Sequence, residues 1–332
     1  MSGGTSVAGA MPRHPRRPAL SRQSAALALV LLAFAVLPAA AQAIGLPFLV
    51  VTATRMMILG LAALSLDLVL GYGAMVSFGH AAFIGIGAYA VGILDAHGIH
   101  DLAVQVPAAL AACALFALAT GAISLRTRGV YFIMITLAFG QMAYFFMVSL
   151  AAYGGDDGMA LARRSTLFGR PLLDGDLPLF YAVLAVLAGA LLVLRRVVAS
   201  RFGRVLRGTR DNAVRMEAIG FSALPYRLTA YTLAGALAGL AGVLLANQAE
   251  FVSPAYMSWQ RSGELIVMVV LGGMGTLVGP VVGAAALIAV EEGLAQYSEH
   301  WRLGLGLILV LTVLLTRGGL AGLAARLTGG RP

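Results

Sequence analysis

Arg201, Arg204, Arg207 and Arg210 recur every three residues, and Phe202, Val205, Leu206, Val214, Ile219, Phe221 and Leu224 fall between and after them. That spacing predicts one or two short amphipathic helices over 200–226, interrupted at Gly203, Gly208 and Gly220, with Pro225 marking the end. The chemistry available to such a segment is recognition rather than covalent catalysis. Physics alone leaves two uses open. It could dock a partner, with an apolar knob for a groove and charges for register, or it could lie on anionic lipid.

The remaining polar residues that invite a role sit in apolar surroundings. Ser77 and His80 open a glycine-rich stretch containing Gly79, Gly85, Gly87 and Gly92. Glycines at such intervals let helix backbones approach closely, and glycine-broken helices expose amides and carbonyls to a solute path. His80 reads most simply as a satisfied interfacial residue. Asp67, Glu264 and Arg55 are unusual for apolar segments and mark either a path or internal pairing. Arg55 and Asp67 stand twelve positions apart, about 18 Å along a straight helix, so they cannot pair with each other. Glu291 and Glu292 are expected at an outer end, in solvent. Asp156 and Asp157 lack the further oxygen ligands of a calcium loop.

Composition narrows the options. The chain has 332 residues, 60% hydrophobic and 11% charged, with a formal net charge of +9. A soluble protein of this size cannot bury that much apolar surface, so lipid must solvate most of it. The positive charge belongs to loops held inside a membrane, and no nucleic acid is implied. Every basic residue in the Lys+Arg total of 23 is arginine. Without lysine there is no P-loop ATPase and no Schiff-base chemistry. Cys113, the single cysteine, can form neither an internal disulfide nor a cysteine metal cluster.

The elements that position these residues are membrane spans, expected at 25–43, 48–70, 77–95, 102–124, 130–151, 178–198, 228–248, 262–274, 278–293 and 302–316. The fold class is all-α: a polytopic helical bundle of about eight to ten spans. The segment 262–274 is too short to cross alone and is expected to break at Gly272-Gly273-Met274-Gly275. The Ala39–Ala43 stretch resembles a signal-peptide cleavage site, but an uncleaved first span is the reading adopted. With the N-terminus inside, only Arg163, Arg164, Arg170, Arg261 and Arg302 face outward, and Arg55 lies within a span, as the positive-inside rule favours. The resulting plan has a cytoplasmic tail, 1–24, and a transmembrane domain, 25–316. The domain carries an extracytoplasmic loop at 153–177 and a cytoplasmic loop at 200–226. A second tail, 317–332, follows it.

Four stretches carry a resemblance. They are Ser200–Arg207 with Arg215–Gly220 and Tyr226-Arg227-Leu228; Leu70-Gly71-Tyr72 with Val76–Tyr89; Leu125–Tyr131 with Ile135–Gly140; and Val269–Pro280. In order and spacing they resemble the high-affinity branched-chain amino acid ABC transporter permeases, in particular the "M"-type inner-membrane subunit. The similarity runs from about residue 48 to 316. Departures are Asp67, where that family usually has Asn, Gly73-Ala74, and Gly154-Gly155-Asp156-Asp157-Gly158.

The resemblance implies the ten-helix fold of ABC importers of the cobalamin-importer type. It also implies a bacterial inner-membrane, multi-pass location and no catalysis by this chain. It implies import of leucine, isoleucine and valine or related small polar solutes. The partners implied are two cytosolic ABC ATPase subunits, a second, related membrane permease and an extracytoplasmic solute-binding protein, all around the lipid bilayer. ATP would be bound by the ATPases, so no cofactor is expected here, and no metal. The ATPase-coupling residues implied are Phe202, Gly203, Arg204, Arg207, Arg210, Glu217, Ala218 and Gly220. Those implied for the translocation pathway are Ser77, Gly79, His80, Gly85, Thr136, Gly140, Gly272, Gly273 and Gly275. Competing readings are a permease of the same family for urea or amides, and an ion-coupled secondary transporter. The second would have to use Asp67, His80 or Glu264 at mid-membrane. A non-transporting membrane scaffold is a third.

Overall fold

The computed structural model describes residues 19–296, 303–307, 310 and 318–322. Nine helices occupy the first nine expected spans: α1 (Ala19–Ile44), α2 (Phe48–Leu70), α3 (Ala81–Ala96), α4 (Leu102–Ser124), α5 (Val130–Ser149), α6 (Asp176–Ala199), α9 (Ala223–Ala249), α10 (Trp259–Gly272) and α11 (Gly279–Ala295). Two short helices, α7 (Arg201–Asp211) and α8 (Ala213–Ala218), fill the arginine-rich loop. Six of these helices, α1, α2, α4, α5, α6 and α9, are long and apolar enough to cross a membrane. Of the tenth expected span, 302–316, only residues 303–307 and 310 are described, and they are helical; the rest of it and most of both tails lie outside the described residues.

Two helices form the centre. α2 is buried on almost every face and α9 along most of its length, while α3 and α4 pack against α9, and α6, α10 and α11 against α2. α1, α4 and α5 present Leu29, Leu115, Met134 and Phe145 outward, as lipid-facing helices do, because a bilayer does not penalise apolar exposure. Small residues set the close approaches. A Cβ on Gly87 would run into the Gly239 carbonyl, and one on Gly242 into the Ile84 carbonyl, so α3 and α9 touch backbone to backbone.

α3 and α10 are short for a physical reason. The chain before each enters the bundle without being helical. On one side residues 71–80 do this, so α3 starts at Ala81 rather than at 77 as expected. On the other side a 3₁₀ turn, Pro254–Met257, seats Met257 where Gly85 leaves no room for a side chain. The two helix starts meet: the Ser262 hydroxyl accepts from the Ala81 N–H at 3.1 Å. α10 and α11 then form a hairpin in which added Cβ atoms at Gly272 and Gly283 would strike the facing backbone. Its turn holds Gly273 at φ +117° and Gly275 at φ +73°, which a side chain resists. The expected break at 272–275 is there.

The contacts sort the connections into two ends. At one end the loop 150–175 is stapled down. Met159–Ala160 pairs antiparallel with Phe251–Val252. Ser165 N donates to Asn247 Oδ1 at 2.7 Å, and Ser165 Oγ donates to Gln105 Oε1 at 2.6 Å. Asp95 takes His100 Nδ1 on one oxygen and Ala162 N on the other. Arg164 bridges Asp176 and Glu250 at 2.8 Å each. Burial of Arg164 acts to lower its pKa, but the bonds and charges of those two carboxylates outweigh it, and the net direction is up. At the other end lie residues 71–80, the α7–α8 segment and the α10–α11 turn.

Candidate coupling and translocation site

The arginine-spaced segment folds into two short helices as its pattern predicts, but α7 runs unbroken through Gly203 and Gly208, and the interruption falls at Asn212 instead. The Ser200 hydroxyl accepts from Gly203 N to start α7, and Asn212 Oδ1 accepts from Arg215 N to start α8, the side-chain caps that helix starts require. Gly220, at φ +90°, turns the chain toward α9. A second detail differs. Pro225 does not end the loop but sits in the first turn of α9, which begins at Ala223. There proline costs no helical hydrogen bond, because the first N–H groups have no partner within the helix.

The expected coupling residues divide into two groups. The first braces the segment on the bundle. Gly203 packs where a Cβ would meet the Val198 carbonyl. Arg207 donates to the Gly203 and Val198 carbonyls at 3.3 and 3.2 Å. Arg210 Nη1 donates to the Gly71 carbonyl at 2.5 Å. Leu206 and Thr209 are buried beneath, and Phe202 lies against Tyr226 with ring centroids 5.7 Å apart. The second group is exposed: Glu217, Ala218 and Gly220 face away, beside Val214 at 69% and Ile219 at 62% exposure, and Arg204 is exposed while donating to the Ala199 carbonyl at 3.3 Å. Two exposed aliphatic side chains on a braced, charged element make a knob rather than a core remnant.

The expected pathway residues fall into two clusters. In the first, Phe78 N donates to Thr136 Oγ1 at 3.3 Å. A Cβ on Gly79 would collide with the Thr136 carbonyl, and one on Gly140 would lie 3.0 Å from Gly79 Cα. Ser77 and His80 are fully buried in the same segment. His80 Nε2 lies 2.9 Å from the Ser65 hydroxyl, which donates to the Ala62 carbonyl at 2.6 Å. His80 is therefore inside the bundle rather than at an interface. Gly85 belongs nearby, against Met257. The second cluster is the hairpin turn, with Gly272, Gly273 and Gly275. A groove of about 470 Å³ between α4 and α9, bordered by Leu118, Pro225, Leu228 and Thr232, holds none of these residues.

Of the charges singled out in the apolar segments, Arg55, Asp67, Glu264 and Glu292 have partners. Arg55 lies 4.0 Å from Glu292, whose side chain stays 39% exposed. Glu264 pairs with Arg261 at 2.5 Å. Asp67 Oδ1 accepts from Gly275 N at 2.8 Å. Gly71, which touches both Asp67 and Arg210, carried no sequence signal beyond its place in the Leu70-Gly71-Tyr72 motif. Among the described residues no group of three or more His, Cys, Asp or Glu could hold a metal ion.

The class these features define is a multi-pass helical membrane protein with a braced, charged appendage at one end. The chain belongs to the family described as the branched-chain amino acid transport system permease component, whose model matches residues 48–316. It is 28% identical over 291 residues to the high-affinity branched-chain amino acid transport system permease protein LivM of Salmonella typhimurium. The corresponding LivM protein of Escherichia coli K12 is 29% identical over 293 residues. Each match covers 81% of this chain and 68% of the relative. The autoinducer 2 import system permease protein LsrC of an Enterobacter species is 28% identical over 251 residues, covering 71% of this chain and 69% of that protein. No solved structure matches the chain. The protein is thus a permease component of an ABC-type transport system.

Proposed function

We propose that this chain forms half of the membrane pathway of an inner-membrane ABC importer for leucine, isoleucine and valine, and that it is a conduit rather than an enzyme. The other half is a related permease. An extracytoplasmic binding protein delivers the solute to the stapled end, and two cytosolic ATPases grip α7–α8 at the arginine-rich end. The single observation that carries this reading is the two-faced segment 200–222. Arg207 and Arg210 fix it to backbone carbonyls of the bundle, while Val214, Glu217 and Ile219 project from it. A helix meant for lipid would turn its apolar face to the membrane throughout; here Val214 and Ile219 are left for a partner's groove. In this reading the solute passes along the non-helical segment 71–80 and the glycine turn, where irregular backbone is tolerated because it lines a route. An ion-coupled mechanism is less favoured, since Asp67, His80 and Glu264 lie against three different groups, Gly275 N, the Ser65 hydroxyl and Arg261, rather than against one another.

The test is uptake by proteoliposomes holding the permease pair, the ATPases and the binding protein. Wild type should accumulate labelled leucine only when ATP is supplied on the α7–α8 face. Glu217→Arg and Gly220→Trp should insert normally yet cut leucine moved per ATP hydrolysed by roughly tenfold, the scale of a typical coupling energy. Normal uptake in both variants would sink the docking assignment.

A further inference from the structure

Asp67 is fully buried near the end of α2. Its Oδ1 accepts from Gly275 N at 2.8 Å, while Oδ2 has no hydrogen-bond partner. A buried carboxylate with one bare oxygen is a poor way to hold a fold together, because desolvation outweighs a single bond. Packing alone does not account for it. What the position does provide is a junction. The Asp67 carbonyl accepts from Gly71 N at 2.7 Å and from Tyr72 N at 3.1 Å, closing α2. The carbonyl of Gly71 itself accepts from Arg210 of α7 at 2.5 Å. Gly71 is squeezed between the Asp67 carboxylate and Gly275 N so closely that no Cβ fits. Three segments far apart in sequence (the end of α2, the docking helix α7 and the α10–α11 turn) therefore meet through consecutive bonds with no slack between them.

We infer that Asp67 and Arg210 are positioning residues that carry movement of α7 into the Gly273–Gly275 turn. This inference rests on the proposed docking of ATPases at α7–α8 and names how that site acts on the bundle. Arg210 pulls on the end of α2 through the Gly71 carbonyl. Asp67 passes the displacement to Gly275, whose left-handed backbone at φ +73° leaves the turn a hinge free of side-chain obstruction. The Gly273 carbonyl, accepting from Thr276 Oγ1 at 2.7 Å, keeps the turn a single unit that moves as one.

Hydrogen–deuterium exchange on the full complex in lipid nanodiscs, with and without vanadate-trapped nucleotide, tests this without needing the solute. In wild type, trapping should change exchange over both 201–218 and 271–277. Asp67→Ala and Arg210→Gln should keep the change over 201–218 and lose it over 271–277. Asp67→Asn, which retains a carbonyl oxygen as acceptor for Gly275 N, should restore it; a merely structural loss of charge would not be rescued this way. If Asp67→Ala fails to assemble, Arg210→Gln decides alone, since that side chain is 44% exposed and its removal leaves no buried gap. An unaltered response over 271–277 in Arg210→Gln overturns the inference. No response over 201–218 in wild type overturns instead the docking reading beneath it.

Discussion

The two ends of this bundle are held by different chemistry. At the stapled end, side chains bind side chains and loop amides: Asn247 and Gln105 capture Ser165, Asp95 captures His100 and Ala162, and Arg164 joins Asp176 to Glu250. At the arginine-rich end, Arg207, Arg210 and Arg227 donate to bare backbone carbonyls at Val198, Gly71 and Thr209. A network of mutually satisfied groups gives up its bonds together and resists motion. The arginine-to-carbonyl bonds tie an otherwise exposed segment to the bundle at a few points, so it can move and carry the tied backbone with it. The difference teaches that the first end is built to keep its shape and the second to move together with the segments it is tied to.

The contrast is broken most severely at Asn247. Asn247→Ala removes the acceptor for a buried amide, Ser165 N, which costs about 1–3 kcal/mol. It should lower the thermal midpoint in detergent and open the 159–173 loop to protease. An unchanged midpoint would mean that the staple is ornamental. A smaller effect is expected at Arg164, whose acidic partners are each about half exposed. Arg164→Gln should cost below about 1 kcal/mol, and the loss should shrink in high salt because the pairs are screened. Thermal midpoints of both proteins across a salt series decide it; a large, salt-independent loss would place Arg164 inside the network rather than at its rim.

Much of this was legible in the sequence, for identifiable reasons. α2 runs over the expected 48–70 because a predominantly apolar run of that length has one stable form in lipid. The break at Gly272–Gly275 was legible because glycine alone tolerates the turn, and the helices at 201–218 because arginines and aliphatics alternate at helical spacing. What was not legible is what non-local contact decides. Nothing local says that 77–80 stays non-helical; the segment is held by Thr136 and Ser65, distant in sequence. Pro225 reads as a stop, yet the first turn of α9 accommodates it. Nothing local to Glu292 shows that Arg55 of another helix lies 4.0 Å away. Asp67 stands out as an odd charge, but its partners, Gly275 and through Gly71 the helix α7, are more than a hundred residues away.

The central claim is that the Val214–Ile219 knob faces the cytosol and is gripped there by ATPase subunits. Ile219→Cys offers a single exposed thiol, because the native Cys113 is buried. A membrane-impermeant maleimide should fail to label it in intact cells. It should label it in inverted vesicles stripped of the ATPases, and lose access again when they are added back. Labelling from outside intact cells, or labelling unaffected by the ATPases, would contradict the account.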